Sequence, residues 1–134
     1  MQSDLIAAAT DARLHAIAPF SGFKVGAAIE TAAGRVFTGC NVENASLGLT
    51  VCAERVALLK ALSEGERTFT RIAVVTNADE PATPCGACRQ LLWEYCGNIS
   101  VQMQSLNGSA LIIRLEELFP RPFGSGYLST GKSD

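Results

Sequence analysis

The stretch Val51-Cys52-Ala53-Glu54-Arg55-Val56-Ala57-Leu58-Leu59-Lys60-Ala61-Leu62 decides how the chain is read. Val56, Ala57, Leu58, Leu59, Ala61 and Leu62 leave little room for a polar face, so the segment reads as a helix buried on several sides. Thr50 is its expected N-cap and Gly65 its stop. Its first turn carries a thiol, a carboxylate and a guanidinium. Downstream, Pro84-Cys85-Gly86-Ala87-Cys88 opens a second helix, bounded by Gly97, and brings two more thiols.

The segments around these two helices indicate what they pack on. Between them Arg71 to Thr76 is a continuous apolar run, the pattern of a strand covered on both faces. Phe23 to Ile29 and Arg35 to Cys40, joined at Thr31-Ala32-Ala33-Gly34, read as a β-hairpin. Ile99 to Met103 alternates and Ala110 to Ile113 is short and apolar, with Asn107-Gly108 as the turn between two more strands. Leu5, Ile6, Ala9, Ala12, Ala16 and Ile17 recur at helical spacing and predict an amphipathic first helix, capped by Ser3 and ended near Pro19. It would carry His15, a surface or interface histidine. In the helix opened by Pro84-Cys85, Leu91, Leu92 and Tyr95 are expected to face the core. A short helix follows from Leu115, and residues 124–134 read as a frayed tail. Strands interleaved with helices predict an α/β fold, a three-layer α/β/α arrangement on a five-stranded mixed sheet, with residues 1–134 as a single domain.

Composition narrows the function. The 134 residues are 48% hydrophobic with a formal net charge of -2, enough to bury a core without disulfides. No basic run exists to grip a phosphate backbone, so a nucleic acid polymer is not an expected partner. No segment approaches the ~20 apolar residues of a membrane span, and Met1-Gln2-Ser3-Asp4 lacks the positive lead of a signal peptide. The expected location is the reducing cytoplasm, where five cysteines serve as thiols or metal ligands. Cys40 and Cys96 belong to no motif and read as buried thiols.

Cys85 and Cys88, three apart, share one face of a helical turn, and Cys52 would supply a third sulfur from another helix. Each lies at a helix N-terminus, which favours the thiolate that zinc requires. Three ligands leave one position open, as in catalytic zinc sites. Cys96 lies roughly 12 Å along the axis from Cys88, too far to close the site. Glu54, in the same first turn as Cys52, sits where a carboxylate can move protons for an activated water; by itself it would equally serve the helix dipole. A structural zinc module would leave Glu54 without a task, and a redox dithiol on Cys85 and Cys88 would make Cys52 incidental.

Phe23-Lys-Val-Gly-Ala-Ala28, Asn41-Val-Glu43-Asn-Ala45-Ser46, Cys52-Ala-Glu-Arg55 and Pro84-Cys-Gly-Ala-Cys-Arg-Gln90 together resemble the small, homotetrameric, three-cysteine cytidine deaminases, over nearly the whole chain. The resemblance implies hydrolysis of cytidine and deoxycytidine to uridine and deoxyuridine with release of ammonia, as in pyrimidine salvage. It implies one Zn²⁺ per subunit on Cys52, Cys85 and Cys88, with Glu54 carrying protons to N3 and to the leaving amine. It places Phe23, Asn41, Glu43, Ala45, Leu47, Ala53 and Phe123 around the nucleoside, with Asn41 and Glu43 on the ribose 3′-hydroxyl. Arg55 would offset the thiolate charge, and sites would lie at subunit interfaces of a homotetramer. Leu47 stands where the family commonly has an aromatic residue, Phe20 replaces a frequent tyrosine, and Gly22 replaces a long polar residue. Those departures keep a related aminopyrimidine, an N4-modified cytidine or blasticidin S, as the alternative substrate.

Overall fold

The computed structural model describes residues 4–128. Five strands, β1 (Val25–Thr31), β2 (Val36–Cys40), β3 (Phe69–Thr76), β4 (Ser100–Ser105) and β5 (Ala110–Arg114), form one sheet in the order β2-β1-β3-β4-β5. Four α-helices join them: α1 (Leu5–Arg13), α2 (Ala53–Ser63), α3 (Gly86–Cys96) and the short α4 (Leu115–Leu118). Only β3 and β4 run parallel, and α3 makes the crossover between them. The other pairings are antiparallel, so the sheet is mixed as expected.

Helices cover both faces. On one, Leu5 and Ala9 of α1 pack on Ala28, Ala73 and Val75. On the other, Ala53, Ala57, Leu58 and Ala61 of α2 and Leu92 of α3 enclose a core with Ala27, Ile29, Ile72, Val74, Val101 and Met103. Alternate residues of β3 therefore go to opposite cores, which explains its unbroken apolar run. Two glycines let the helices sit directly on the hairpin. A Cβ on Gly26 would stand 1.9 Å from the Ala9 carbonyl oxygen, and one on Gly39 would stand 2.5 Å from both the Ala53 carbonyl oxygen and the Ala57 nitrogen. The hairpin turn closes at Gly34, whose φ of 89° only glycine adopts without strain.

Several boundaries differ from the sequence reading. Helix α1 stops at Arg13, short of Ala16 and Ile17, because Ile17 leaves the helix to bridge Val42. His15 consequently lies beyond the helix and is exposed. Its cap is Asp4, whose carboxylate accepts from the Ala7 N–H at 3.0 Å, while Ser3 lies outside the described residues. Thr50 does not cap α2; its hydroxyl accepts from the Asn44 N–H instead, and Cys52 occupies the cap position. Tyr95 faces outward, whereas Leu92 is fully buried and Leu91 packs on the core's edge. Cys96 also packs there, and burial pushes its thiol up to about 12; Cys40 is half-buried. Within the expected tail, Ser125–Tyr127 forms a turn that stacks Tyr127 on Phe123, and residues 129–134 lie outside the described part. Among the described residues no helix is long and apolar enough to cross a membrane.

Candidate active site

The N-termini of α2 and α3 meet at the end of β3, beside Thr76. Cys52 caps α2 and Cys85 caps α3, and neither side chain bonds a backbone N–H of its own helix. Both sulfurs are thus free to turn outward along the axes. Cys88 follows one turn into α3 and is buried at 1% exposure. The three Sγ atoms all lie within 4.8 Å of one another, and those of Cys52 and Cys85 are 3.8 Å apart. Two sulfurs bound tetrahedrally at about 2.3 Å to one zinc would be separated by about 3.8 Å. The donor set and its spacing therefore fit a zinc ion, and every ligand is presented at a helix end that favours thiolate.

The electrostatics agree with that fit. A hydrogen bond from the Cys88 thiol is the main influence that lowers the Cys52 thiol to about 6, with further help from Cys85 and the Arg55 charge. Cys88 moves strongly upward, because its proton is the one donated to Cys52 and because it is buried. Among the described residues Arg55 Nε is buried without a hydrogen-bond partner, and the Arg55 charge acts on the Cys52 thiol.

Glu54 is buried, at 6% exposure, and desolvation pushes its carboxyl up to about 7, with the Cys52 charge adding to the rise. A carboxyl that titrates near neutrality can both take and give a proton. It lines a cavity of about 190 Å³ together with Cys52, Cys85, Ala53, Phe23 and Asn41. That volume suits a small ring such as a single base. The rest of the lining, including Thr50, Val51, Val74, Thr76 and Thr83, was not singled out from the sequence. The available signal was position: Val74 and Thr76 end a central strand, where open α/β sheets bind ligands, and the others immediately precede the two motif turns.

Asn41 and Glu43 act here on the segment that carries Phe23. The Asn41 side chain accepts from Val25 N–H at 2.8 Å and donates to the Phe23 carbonyl at 2.7 Å, replacing a ladder rung at the start of β1. One amide N–H of Asn41 remains for a ligand. The Glu43 carboxylate accepts from the Ser21 hydroxyl and from the N–H groups of Phe20 and Ser21 at 3.0 and 3.1 Å. The Ser21 hydroxyl is the main influence that holds the Glu43 carboxyl below its ordinary value.

Within a single chain, Glu43, Ala45, Leu47 and Phe123 do not line the cavity. Ala45 is exposed and Leu47 stands 74% exposed on a short 3₁₀ turn. Phe123 is 54% exposed, with its carbonyl held by Gln90 at 2.7 Å.

Residues 1–103 match the family model described as the cytidine and deoxycytidylate deaminase zinc-binding region. A cytidine deaminase of Sporosarcina psychrophila is 42% identical over 126 residues, covering 93% of either chain. One from Halalkalibacterium halodurans is 48% identical over 120 residues, covering 89% of this chain and 91% of the relative. The crystal structure of cytidine deaminase from Burkholderia pseudomallei superposes with a TM-score of 0.85 at 49% identity, covering 89% of this chain and 96% of that one. A zinc-spaced trio of cysteines, a buried glutamate in the cavity that Cys52 and Cys85 line, and this extent of similarity lead to one assignment: the chain belongs to the cytidine and deoxycytidylate deaminase family.

Proposed function

We propose that this protein is a zinc-dependent hydrolase that converts cytidine and deoxycytidine, with water, to uridine and deoxyuridine plus ammonia. The observation that carries this reading is the placement of Glu54 in the cavity that Cys52 and Cys85 also line, with the three sulfurs at zinc-thiolate spacing. Cys52, Cys85 and Cys88 hold one zinc per subunit, and Arg55 offsets the charge of the three thiolates. Zinc, when bound, supplies a Lewis acid that makes a water nucleophilic near neutral pH.

The side chains do the rest. Glu54 takes one proton of the attacking water and passes it to N3, then takes the second from the oxygen now on C4 and passes it to the amine as the C4–N bond breaks. The backbone of Ala53 meets the edge of the base and Phe23 packs on the pyrimidine. The free N–H of Asn41 and the carboxylate of Glu43 serve the ribose hydroxyl, and a carboxylate there repels a substrate phosphate.

Residues 1–134 act as one domain in a cytoplasmic homotetramer. Thiol ligands suit a reducing compartment. Leu14, Ile17, Phe20, Leu47 and Leu49 are all more than half exposed, and the Ile17–Val42 bridge and the Glu43 bonds to the Phe20–Ser21 turn draw these segments together beside the cavity. An apolar area of this kind supports contact with further subunits. Such contacts would bring Ala45, Leu47 and Phe123 toward a neighbour's site.

Ammonia release from cytidine, deoxycytidine, cytidine monophosphate and blasticidin S tests the reading. Fast turnover of the two nucleosides with little turnover of the other two is expected. Preference for blasticidin S, or for the monophosphate, contradicts the assignment of Asn41 and Glu43.

A further inference from the structure

Of the three sulfurs, that of Cys85 has the least packing around it. Cys88 is buried and Cys52 is half-buried against α2, whereas Cys85 is exposed and follows the turn-rich segment 77–84. Something other than the core must fix its position. One turn into α3, Arg89 closes the first helical hydrogen bond onto the Cys85 carbonyl at 2.9 Å. A helical side chain leans toward the N-terminus, so that of Arg89 lies over the residues just before Cys85.

There its guanidinium makes three bonds. Nε donates to the Pro84 carbonyl at 2.7 Å, Nη2 to the Thr83 hydroxyl at 2.9 Å, and Nη1 to the Leu118 carbonyl at the end of α4 at 2.7 Å. The two residues on the chain side of Cys85 are thereby tied to the helix on its other side, and both to α4. Thr83 also lines the cavity.

From this geometry we infer that Arg89 is a positioning residue for the zinc ligand Cys85, bracing the Thr83-Pro84-Cys85 turn so that its sulfur stays at ligand distance. The inference rests on the reading of Cys52, Cys85 and Cys88 as zinc ligands and goes beyond it, because Arg89 belongs neither to the sulfur cluster nor to the cavity lining. A planar fork of five donors is required to reach three acceptors on two segments, and a lysine cannot reproduce it.

The test is zinc affinity of the full chain, measured by competition with a chromophoric chelator, alongside thermal unfolding of the metal-free and zinc-loaded forms. Loss of a group that orients a metal ligand typically weakens binding about 10–100-fold, the fall expected for Arg89→Ala and Arg89→Lys. Thr83→Val removes one bond of the three and should weaken zinc several-fold while leaving metal-free unfolding nearly unchanged. It carries the test if the arginine variants do not fold. A general structural role would lower the unfolding temperature of both forms equally and leave the affinity unmoved. Zinc binding in Thr83→Val and any folded arginine variant equal to that of the natural chain overturns the inference. Failure of the natural chain to bind zinc would instead overturn the ligand assignment on which it rests.

Discussion

Gly39→Ala perturbs the active site through the fold rather than through its chemistry. Gly39 lies on β2 opposite Ala27, under the first turn of α2. The added Cβ would stand 2.5 Å from the Ala53 oxygen and the Ala57 nitrogen and 2.9 Å from Val56 Cβ. Ordinary contact begins at 3.4 Å, so relief from 2.5 Å needs a retreat of about 0.9 Å. The obstructing atoms are mostly backbone and cannot rotate away, so the helix itself must shift. Overpacking of this kind costs about 1–3 kcal/mol, within the 5–15 kcal/mol of a typical domain, and the variant should still fold.

Helix α2 carries Cys52 and Glu54, whereas Cys85 and Cys88 ride on α3, so the shift separates the two halves of the site. Misplacement by about 1 Å is worth roughly 10²-fold in rate. Urea unfolding should therefore show the loss of stability, and a cytidine assay at saturating zinc should show a fall near 10²-fold. Gly34→Ala is the control. It strains a positive φ with nothing within 4 Å of the new methyl, and should cost about 1 kcal/mol with turnover intact. Unchanged unfolding and normal turnover in Gly39→Ala would refute the close seating of α2 on β2.

The Glu43 carboxyl is held below its ordinary 4.5 by Ser21, so its folded value lies under its unfolded one. Its stabilising tie to the Phe20–Ser21 turn is complete above the unfolded value and is lost as pH falls through the depressed folded value. The unfolding-temperature gap between the natural chain and Glu43→Gln should be steady from neutrality to about pH 5 and close in stronger acid; a gap that widens on acidification contradicts this. Cys96→Ala should keep a full zinc complement and cost about 1 kcal/mol in urea unfolding, as a partly buried thiol outside the cluster. Loss of zinc in that variant would contradict the three-ligand set.

That Cys52, Cys85, Cys88 and Glu54 gather at two helix starts was legible because that information is local. Cys52 with Glu54 and Cys85 with Cys88 are each set by one helical turn, and helix-starting patterns announced both turns. The sheet's composition was legible for a similar reason: the apolar run of β3 recorded its two covered faces. Features that depend on remote partners were not. Helix α1 ends at Arg13 because Ile17 is drawn to Val42, a contact between residues with no shared periodicity. Thr50 looks like a cap by type, but Asn44 engages its hydroxyl. The ties of Asn41 to β1, and of Arg89 to α4, join segments far apart in sequence, so no spacing rule exposes them. Among the described residues Leu47 and Phe123 do not line the cavity, and no spacing in the sequence reveals that.

The central claim is that zinc binding and proton transfer are separate tasks, the first on Cys52, Cys85 and Cys88 and the second on Glu54. Zinc per chain, measured together with uridine formation from cytidine in Glu54→Gln, tests it most directly. Undiminished zinc and a rate reduced by about 10²–10⁴-fold are expected, the contribution of a positioned acid and base. A Glu54→Gln protein that retains zinc and still deaminates cytidine near the natural rate would contradict it.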